Sequence, residues 1–163
     1  MIAAATDEGI CLLDFRYRKM LPAIQLRISS GLKDVFEPCL HPLLEDLQKE
    51  LDEYFEGSRK EFTVPVNPVG SAFQTSVWEA LREIPYGETR SYLRQARLLG
   101  DEKAIRAVAT AVGMNGIAII IPCHRVIGSN GSLTGYAGGL AAKRWLLEHE
   151  RKHSGKTTTP TLF

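Results

Sequence analysis

The sequence predicts an α+β protein: a small N-terminal α/β lobe with an antiparallel sheet, then a mostly helical C-terminal lobe holding a winged-helix-like helix-turn-helix. Three observations predict it. Residues 3–15, AAATDEGICLLDF, set two apolar stretches on either side of Asp7-Glu8-Gly9, the pattern of a hairpin whose glycine makes the turn. Residues 60–70, KEFTVPVNPVG, carry two prolines, which permit a short edge strand and then a linker. From Ser71 onward the pattern is a succession of short helices, and the charge changes sign with it. Residues 1–69 hold 8 Lys/Arg against 12 Asp/Glu, whereas residues 70–163 hold 12 against 7, so the second lobe suits a polyanion. The expected division is 1–69 for the first lobe and linker, 70–151 for the second, and 152–163 for a disordered tail.

Each helix has its own signals. In HPLLEDLQKELDEYFEG, Leu43, Leu44, Leu47, Leu51, Tyr54 and Phe55 recur at helical spacing, with Pro42 in the first turn and Gly57 at the end. SAFQTSVWEALREIPYGE has Ser71 as cap, an apolar face of Phe73, Val77, Trp78 and Leu81, and a stop at Pro85 and Gly87. TRSYLRQARLLGD is a short helix closed by Gly100, and EKAIRAVATAVGMN is another, rich in Ala104, Ala107, Ala109 and Ala111. Two short helices joined by a glycine-containing turn are what a helix-turn-helix needs. An isoleucine-rich segment then reads as a buried strand opening into a glycine-rich loop. In GLAAKRWLLEHE, Leu140, Trp145, Leu146 and Leu147 are assigned to the inner face.

Length and composition fit one domain or two small lobes with a core each: 163 residues, 44% hydrophobic and 24% charged. No apolar run approaches a membrane span, and no basic start leads into an apolar stretch as in a secretory signal. The chain opens inside its first strand, which leaves room for upstream sequence. Three cysteines, Cys11, Cys39 and Cys123, are too few and odd in number for a disulfide framework, and indicate a reducing cytoplasmic compartment. There is no phosphate-binding loop, dinucleotide fingerprint or paired CxxC. Cys39 with His41 makes a poor zinc site, since structural zinc takes four ligands; a buried cysteine and a helix-start histidine are the reading there, and no metal or cofactor is expected.

Cys123 stands apart from the other two cysteines. Pro122 pins it at the end of the expected strand, and His124 and Arg125 are cationic neighbours of the kind that lower a thiol's pKa. Cysteine and histidine, with a carboxylate such as Glu150 to orient the imidazole, have the general form of an activated nucleophile. Adjacent residues on a strand point to opposite faces, however, so direct contact between His124 and the thiol needs a turn or a bridging water. On the residues alone a nucleophile ranks above a structural cysteine, and a cysteine hydrolase is the alternative. A hydrolase has no reason to carry a basic helix-turn-helix in the same lobe.

Residues 121–150, IPCHRVIGSNGSLTGYAGGLAAKRWLLEHE, closely resemble the C-terminal half of the O6-alkylguanine-DNA alkyltransferases, the methylated-DNA–protein-cysteine methyltransferases. The resemblance extends upstream through SAFQTSVWEALREIPYGETRSY and KAIRAVATAVGMN, and so covers residues 70–150; the first lobe resembles the family only in outline. It implies that Cys123 takes the alkyl group from guanine O6, and less efficiently from thymine O4, once per molecule, and keeps it as a thioether. His124 would act as base through a water, held by Glu150, and Asn115 would brace the turn before the nucleophile. Arg106 would fill the gap left by a flipped nucleotide while the alanine-rich helix enters the minor groove. Tyr92, Val126, Tyr136 and Ala137 align with base-pocket positions, Tyr92 also with a DNA-contacting one, and Gln74 and Ser129 with phosphate contacts; Ala118 and Thr134 are further pocket positions. The implied partner is double-stranded DNA carrying O6-alkylguanine, bound by a monomer. Gly116 departs from a proline common in the family, and Val112 from an asparagine. Cys123 separates the chain from alkyltransferase-like proteins that only bind lesions, and the absence of a four-cysteine zinc module argues against phosphotriester repair.

Overall fold

The structure, a computed structural model, describes residues 1–155. Strands β1 (Ile2–Thr6) and β2 (Gly9–Asp14) form the expected antiparallel hairpin, with a register irregularity between Ala4 and Ala5. Gly9 is required there: its φ is +148°, and a Cβ would lie 2.8 Å from the Pro65 carbonyl. The strand expected around residues 60–70 reduces to one parallel bridge, Val66 to Ile10, held by Ile10 N–H to Pro65 O and Asn67 N–H to Ile10 O.

β2 is buried along its whole length because both faces are covered. Cys11 and Leu12 pack on helix α1 (Leu21–Leu32) through Leu21, Ile24 and Ile28, while Ile10 and Leu13 enter the main core. The sequence reading assigns no element to the stretch that forms α1. Of the two arrangements the composition allows, one domain or two lobes with a core each, neither is pure: the first lobe keeps a small cluster of its own, but the main core spans both. Leu47, Leu51 and Tyr54 from helix α2 (Pro42–Glu56) share one apolar cluster with Val77, Trp78 and Leu81 from helix α3 (Ala72–Arg82). The expected boundaries of α2 hold: Pro42 is in its first turn, and Gly57, in the left-handed region at φ 86°, ends it. His41 caps its start, but Cys39 is exposed rather than buried.

Ser71 caps α3 in a full capping box with Gln74. The helix-turn-helix is α4 (Tyr92–Leu98) and α5 (Ile105–Gly113), joined through a 3-10 turn at Glu102–Ala104. Trp78 Nε1 donates to Ala111 O over 2.8 Å and fixes α3 against α5. Short strands β3 (Arg90–Ser91) and β4 (Val126–Ile127) pair in parallel beside them. Helix α6 (Gly139–His153) closes the lobe, so residues 152 and 153, expected in a disordered tail, are helical; residues 156–163 of that expectation lie outside the described residues.

Four residues assigned to apolar faces are instead exposed: Phe55, Phe73, Leu140 and Trp145. Two of them cover each other, with Trp145 stacked on His149 at 4.8 Å and in contact with the Phe55 ring. The isoleucine segment is not a strand. Ile117 makes one parallel bridge to Leu13, and the chain then coils through consecutive turns, with Ile119 at φ 73°. That left-handed conformation is rare for a β-branched residue and costs about 1–3 kcal/mol. The run is apolar because it is enclosed on every side, Ile117, Ile119, Ile120 and Ile121 all being buried. Among the described residues no helix is long and apolar enough to cross a membrane.

Candidate active site

Cys123 does not end a strand but opens a 3-10 turn, Cys123–Arg125. With three residues per turn, successive side chains swing by about 120°, so the opposite-face constraint of a strand does not apply. The thiol lies on the floor of a pocket of about 840 Å³ built by both lobes. Tyr17 and Arg18 form one wall, Tyr92 at the start of α4 another, Arg106 and Ala109 of α5 a third, and the loop residues Tyr136 and Ala137 the last.

Asn115, just beyond α5, holds the turn that carries the cysteine. Its Nδ2 donates to Ile121 O (2.9 Å) and to Cys123 Sγ (3.2 Å), and its Oδ1 accepts from Ile117 N–H (2.9 Å). The other side of the same turn is fixed from the first lobe. Arg18, buried and paired with Asp14, donates to Asn115 O over 2.7 Å and to Gly113 O, two carbonyls at the end of α5 that the helix leaves without partners. Arg27 of α1 adds a bond to Met114 O at 3.0 Å. Gly116 suits this packing: a Cβ there would lie 3.0 Å from Ile24 Cγ2 of α1. Val112 is buried and lines the pocket.

Behind the thiol is a network centred on Glu150 of α6. Its Oε1 receives His124 Nε2 (2.8 Å), Tyr54 Oη (2.8 Å) and Arg125 Nη2 (2.9 Å). Its Oε2 receives Arg125 Nε (2.8 Å) and the Gly87 N–H (3.1 Å). Burial alone would raise this carboxyl, but His124 and Arg125 hold it well below the usual carboxylate range, so it is ionised. Burial drives the His124 imidazole down, and Glu150 only partly opposes that. A neutral imidazole facing an ionised carboxylate carries its hydrogen on Nε2, which leaves Nδ1 as a free base; Nδ1 has no protein hydrogen-bond partner.

The expectation that His124 and Arg125 lower the thiol pKa is overturned. Burial pushes the Cys123 thiol up, and the groups that offset it are Asn115, Lys143 and Arg18, while Arg125 is turned back to Glu150 and to Ile84 O. Lys143 is fully buried, its ammonium bonded to the carbonyls of Val126 (2.6 Å) and Thr134 (2.7 Å), and burial brings its pKa down to about 8.

The structure therefore brings Cys123, Asn115, Tyr92, Tyr136, Ala137 and Arg106 to one pocket, with His124 and Glu150 beside it. Thr134 lines the pocket, whereas Ala118 is buried against β2. Val126 lies outside the pocket lining, paired with Arg90, and its carbonyl is taken by Lys143. Gln74 is engaged in the α3 cap, and Ser129 is exposed on the loop. Arg18, Tyr54 and Lys143 escape the sequence reading, since nothing in their local pattern separates them from solvated or core residues. Among the described residues no group of three or more His, Cys, Asp or Glu side chains could hold a metal ion.

Comparison with known proteins gives two family matches: the 6-O-methylguanine DNA methyltransferase ribonuclease-like domain over residues 1–68, and the DNA binding domain of the same name over residues 72–152. The chain is 53% identical over 156 residues to a methylated-DNA–protein-cysteine methyltransferase of Methanosarcina barkeri, covering 94% of this chain and 91% of that protein. It is 50% identical over 117 residues to the inducible methylated-DNA–protein-cysteine methyltransferase of Bacillus subtilis, a match spanning 72% of this chain and 65% of that relative's length. The structure is similar to that of Mycobacterium tuberculosis OGT in complex with DNA, with a TM-score of 0.78, 40% identity, and coverage of 93% of this chain and 86% of the other.

Proposed function

The chain belongs to the 6-O-methylguanine DNA methyltransferase family, and from that membership and its own geometry we propose that it repairs DNA by moving the alkyl group of O6-alkylguanine, less efficiently of O4-alkylthymine, onto Cys123. One observation carries the reading: a buried thiol on the floor of a pocket of about 840 Å³, ample for a nucleobase, hydrogen-bonded by Asn115 and followed in sequence by a histidine held by Glu150. The thiol proton passes through a water to His124 Nδ1. The thiolate then attacks the alkyl carbon in line, forming the C–S bond as the C–O6 bond breaks; the departing base takes a proton from water to become guanine, and His124 returns its proton to that water. The thioether has no ready leaving path, so each molecule acts once.

A base must leave the stack to reach a buried thiol. Arg106, exposed on α5 at the pocket edge, fits the role of filling its place, and Ala107 and Ala109 let that helix press into the minor groove. Ala111, by contrast, is committed to the core. Tyr92, Tyr136 and Ala137 would meet the extruded base. Residues 70–151 carry both DNA binding and transfer in this reading, and residues 1–69 supply a wall and supports. The protein acts as a monomer in a reducing, cytoplasmic compartment, where its three cysteines stay free.

The test is to incubate the protein with duplex DNA bearing one labelled O6-methylguanine and to follow the label by mass spectrometry. One methyl per protein on the Cys123 peptide is expected, with transfer abolished and DNA binding kept in Cys123→Ala. Multiple turnovers, or unmodified wild-type protein with DNA bound, would refute it.

A further inference from the structure

Tyr54 belongs to α2 in the first lobe, yet its hydroxyl donates to Glu150 Oε1 across 96 positions of sequence, at 2.8 Å. The side chain is fully buried, and its position is fixed from several sides. Its ring meets Phe55 and Phe62 at 5.4 Å, His149 at 5.5 Å and Tyr86 at 6.0 Å, and its carbonyl accepts from His149 Nε2 at 2.7 Å. Burial beside a carboxylate pushes the phenol far above its ordinary pKa, so this hydroxyl is a permanent donor.

We propose that Tyr54 is a positioning residue for alkyl transfer: by donating to the same carboxylate oxygen that receives the His124 imidazole, it sets how firmly that oxygen holds His124 and so how readily the imidazole gives up its charge. The inference rests on the reading of His124 as the base. Oε1 accepts three donors, from Tyr54, His124 and Arg125, where a carboxylate oxygen offers about two lone-pair directions. The donors compete. Without the phenol hydroxyl, Oε1 bonds the imidazole more strongly and favours imidazolium, so the His124 pKa rises and neutral base appears only at higher pH. The other charged and titratable groups around the pair are Arg125 on the same 3-10 turn, Lys143 and His149 on α6, Tyr86 before β3, Tyr136 of the loop, whose ring meets His124 edge-on, and Cys123 itself. Of these only Arg125 shares Oε1 with Tyr54, and its guanidinium stays charged however that oxygen's bonds are divided.

The measurement is the single-turnover rate of methyl transfer from an O6-methylguanine duplex against pH, for wild type, Tyr54→Phe and Tyr86→Phe. Tyr54→Phe keeps the ring and its packing. Its acid limb is expected to move up by about half a pH unit, which makes transfer about threefold slower on the limb and leaves the plateau unchanged. The imidazole titration of His124, followed by NMR on labelled protein, should move with it. Tyr86→Phe, which removes a buried hydroxyl with no partner, should leave the limb in place. An unmoved limb in Tyr54→Phe, or a plateau and thermal midpoint that fall without any shift, overturns the proposal. Should Tyr54→Phe not fold, 3-fluorotyrosine introduced at position 54 is the stronger donor and should move the limb down; no movement there also overturns it. His124→Gln separates the two readings. If the limb vanishes in that variant but stays put in Tyr54→Phe, the base assignment stands and the Tyr54 inference alone fails; if it persists in His124→Gln, the base assignment fails.

Discussion

Glu150→Gln tests the buried network most directly. The carboxylate receives five hydrogen bonds and is the counter-charge for the guanidinium of Arg125, a residue only 7% exposed. Glutamine has the same shape but replaces one acceptor oxygen with an NH2 that faces donors, and it leaves Arg125 charged with only Ile84 O as a full partner. Removing one partner of a buried ion pair costs about 3–5 kcal/mol. The amide oxygen still accepts part of the set, so the lower end, about 3 kcal/mol, is expected at pH 7. For a chain of this size that lowers the thermal midpoint by about 6–12 °C. The pH dependence has a definite sign. The folded carboxyl lies below its unfolded value of about 4.3, so its contribution is fully present above that pH and is lost as pH falls through the folded pKa. Urea denaturation of both proteins from pH 7 to pH 3 should therefore show a constant gap down to about pH 5 that then shrinks. A penalty below about 1 kcal/mol at pH 7, or a gap that widens in acid, would refute the account of Glu150 as an ionised centre.

Asn115→Ala strands the buried Ile117 N–H, leaves Ile121 C=O with only the Cys123 N–H, and removes the donor to Cys123 Sγ, so a stability loss of about 1–3 kcal/mol is expected in denaturant titration. The thiol pKa should rise further, seen as alkylation of Cys123 by iodoacetamide shifting to higher pH; unchanged stability would mean the turn is held elsewhere. Gly116→Ala puts a Cβ 3.0 Å from Ile24 Cγ2 and should cost about 1 kcal/mol, less when combined with Ile24→Ala, as a double-mutant cycle would show.

What could be read from the sequence was what is encoded locally. Pro42 and Gly57 bracket α2, and Ser71 with Gln74 opens α3, because capping is a matter of residues a few positions apart. Of those marks α1 has only a first-turn proline, Pro22. Its N-cap Met20 makes no side-chain bond, its left-handed C-cap is Lys33 rather than glycine, and only three of its twelve residues are buried. The isoleucine run misled for a related reason: a segment enclosed on all sides looks the same in sequence whether it is extended or coiled. Cys123, His124 and Glu150 could be singled out in the sequence because one motif holds them, whereas their supports Arg18, Tyr54 and Lys143 could not.

Those supports nevertheless have a common cause. Wherever the backbone near Cys123 is irregular, its carbonyls lose the partners that a helix or sheet would give, and buried carbonyls must find donors. Gly113, Met114 and Asn115 at the end of α5 find Arg18 and Arg27, and Val126 and Thr134 find Lys143. Long cationic side chains suit this task, since they carry several donors and reach across an element. The coiling that sets the thiol at the pocket floor is thus what draws charged residues inward, two of them from the first lobe. A lobe to which the sequence reading gave no part in the site thus becomes part of what holds Cys123 in place.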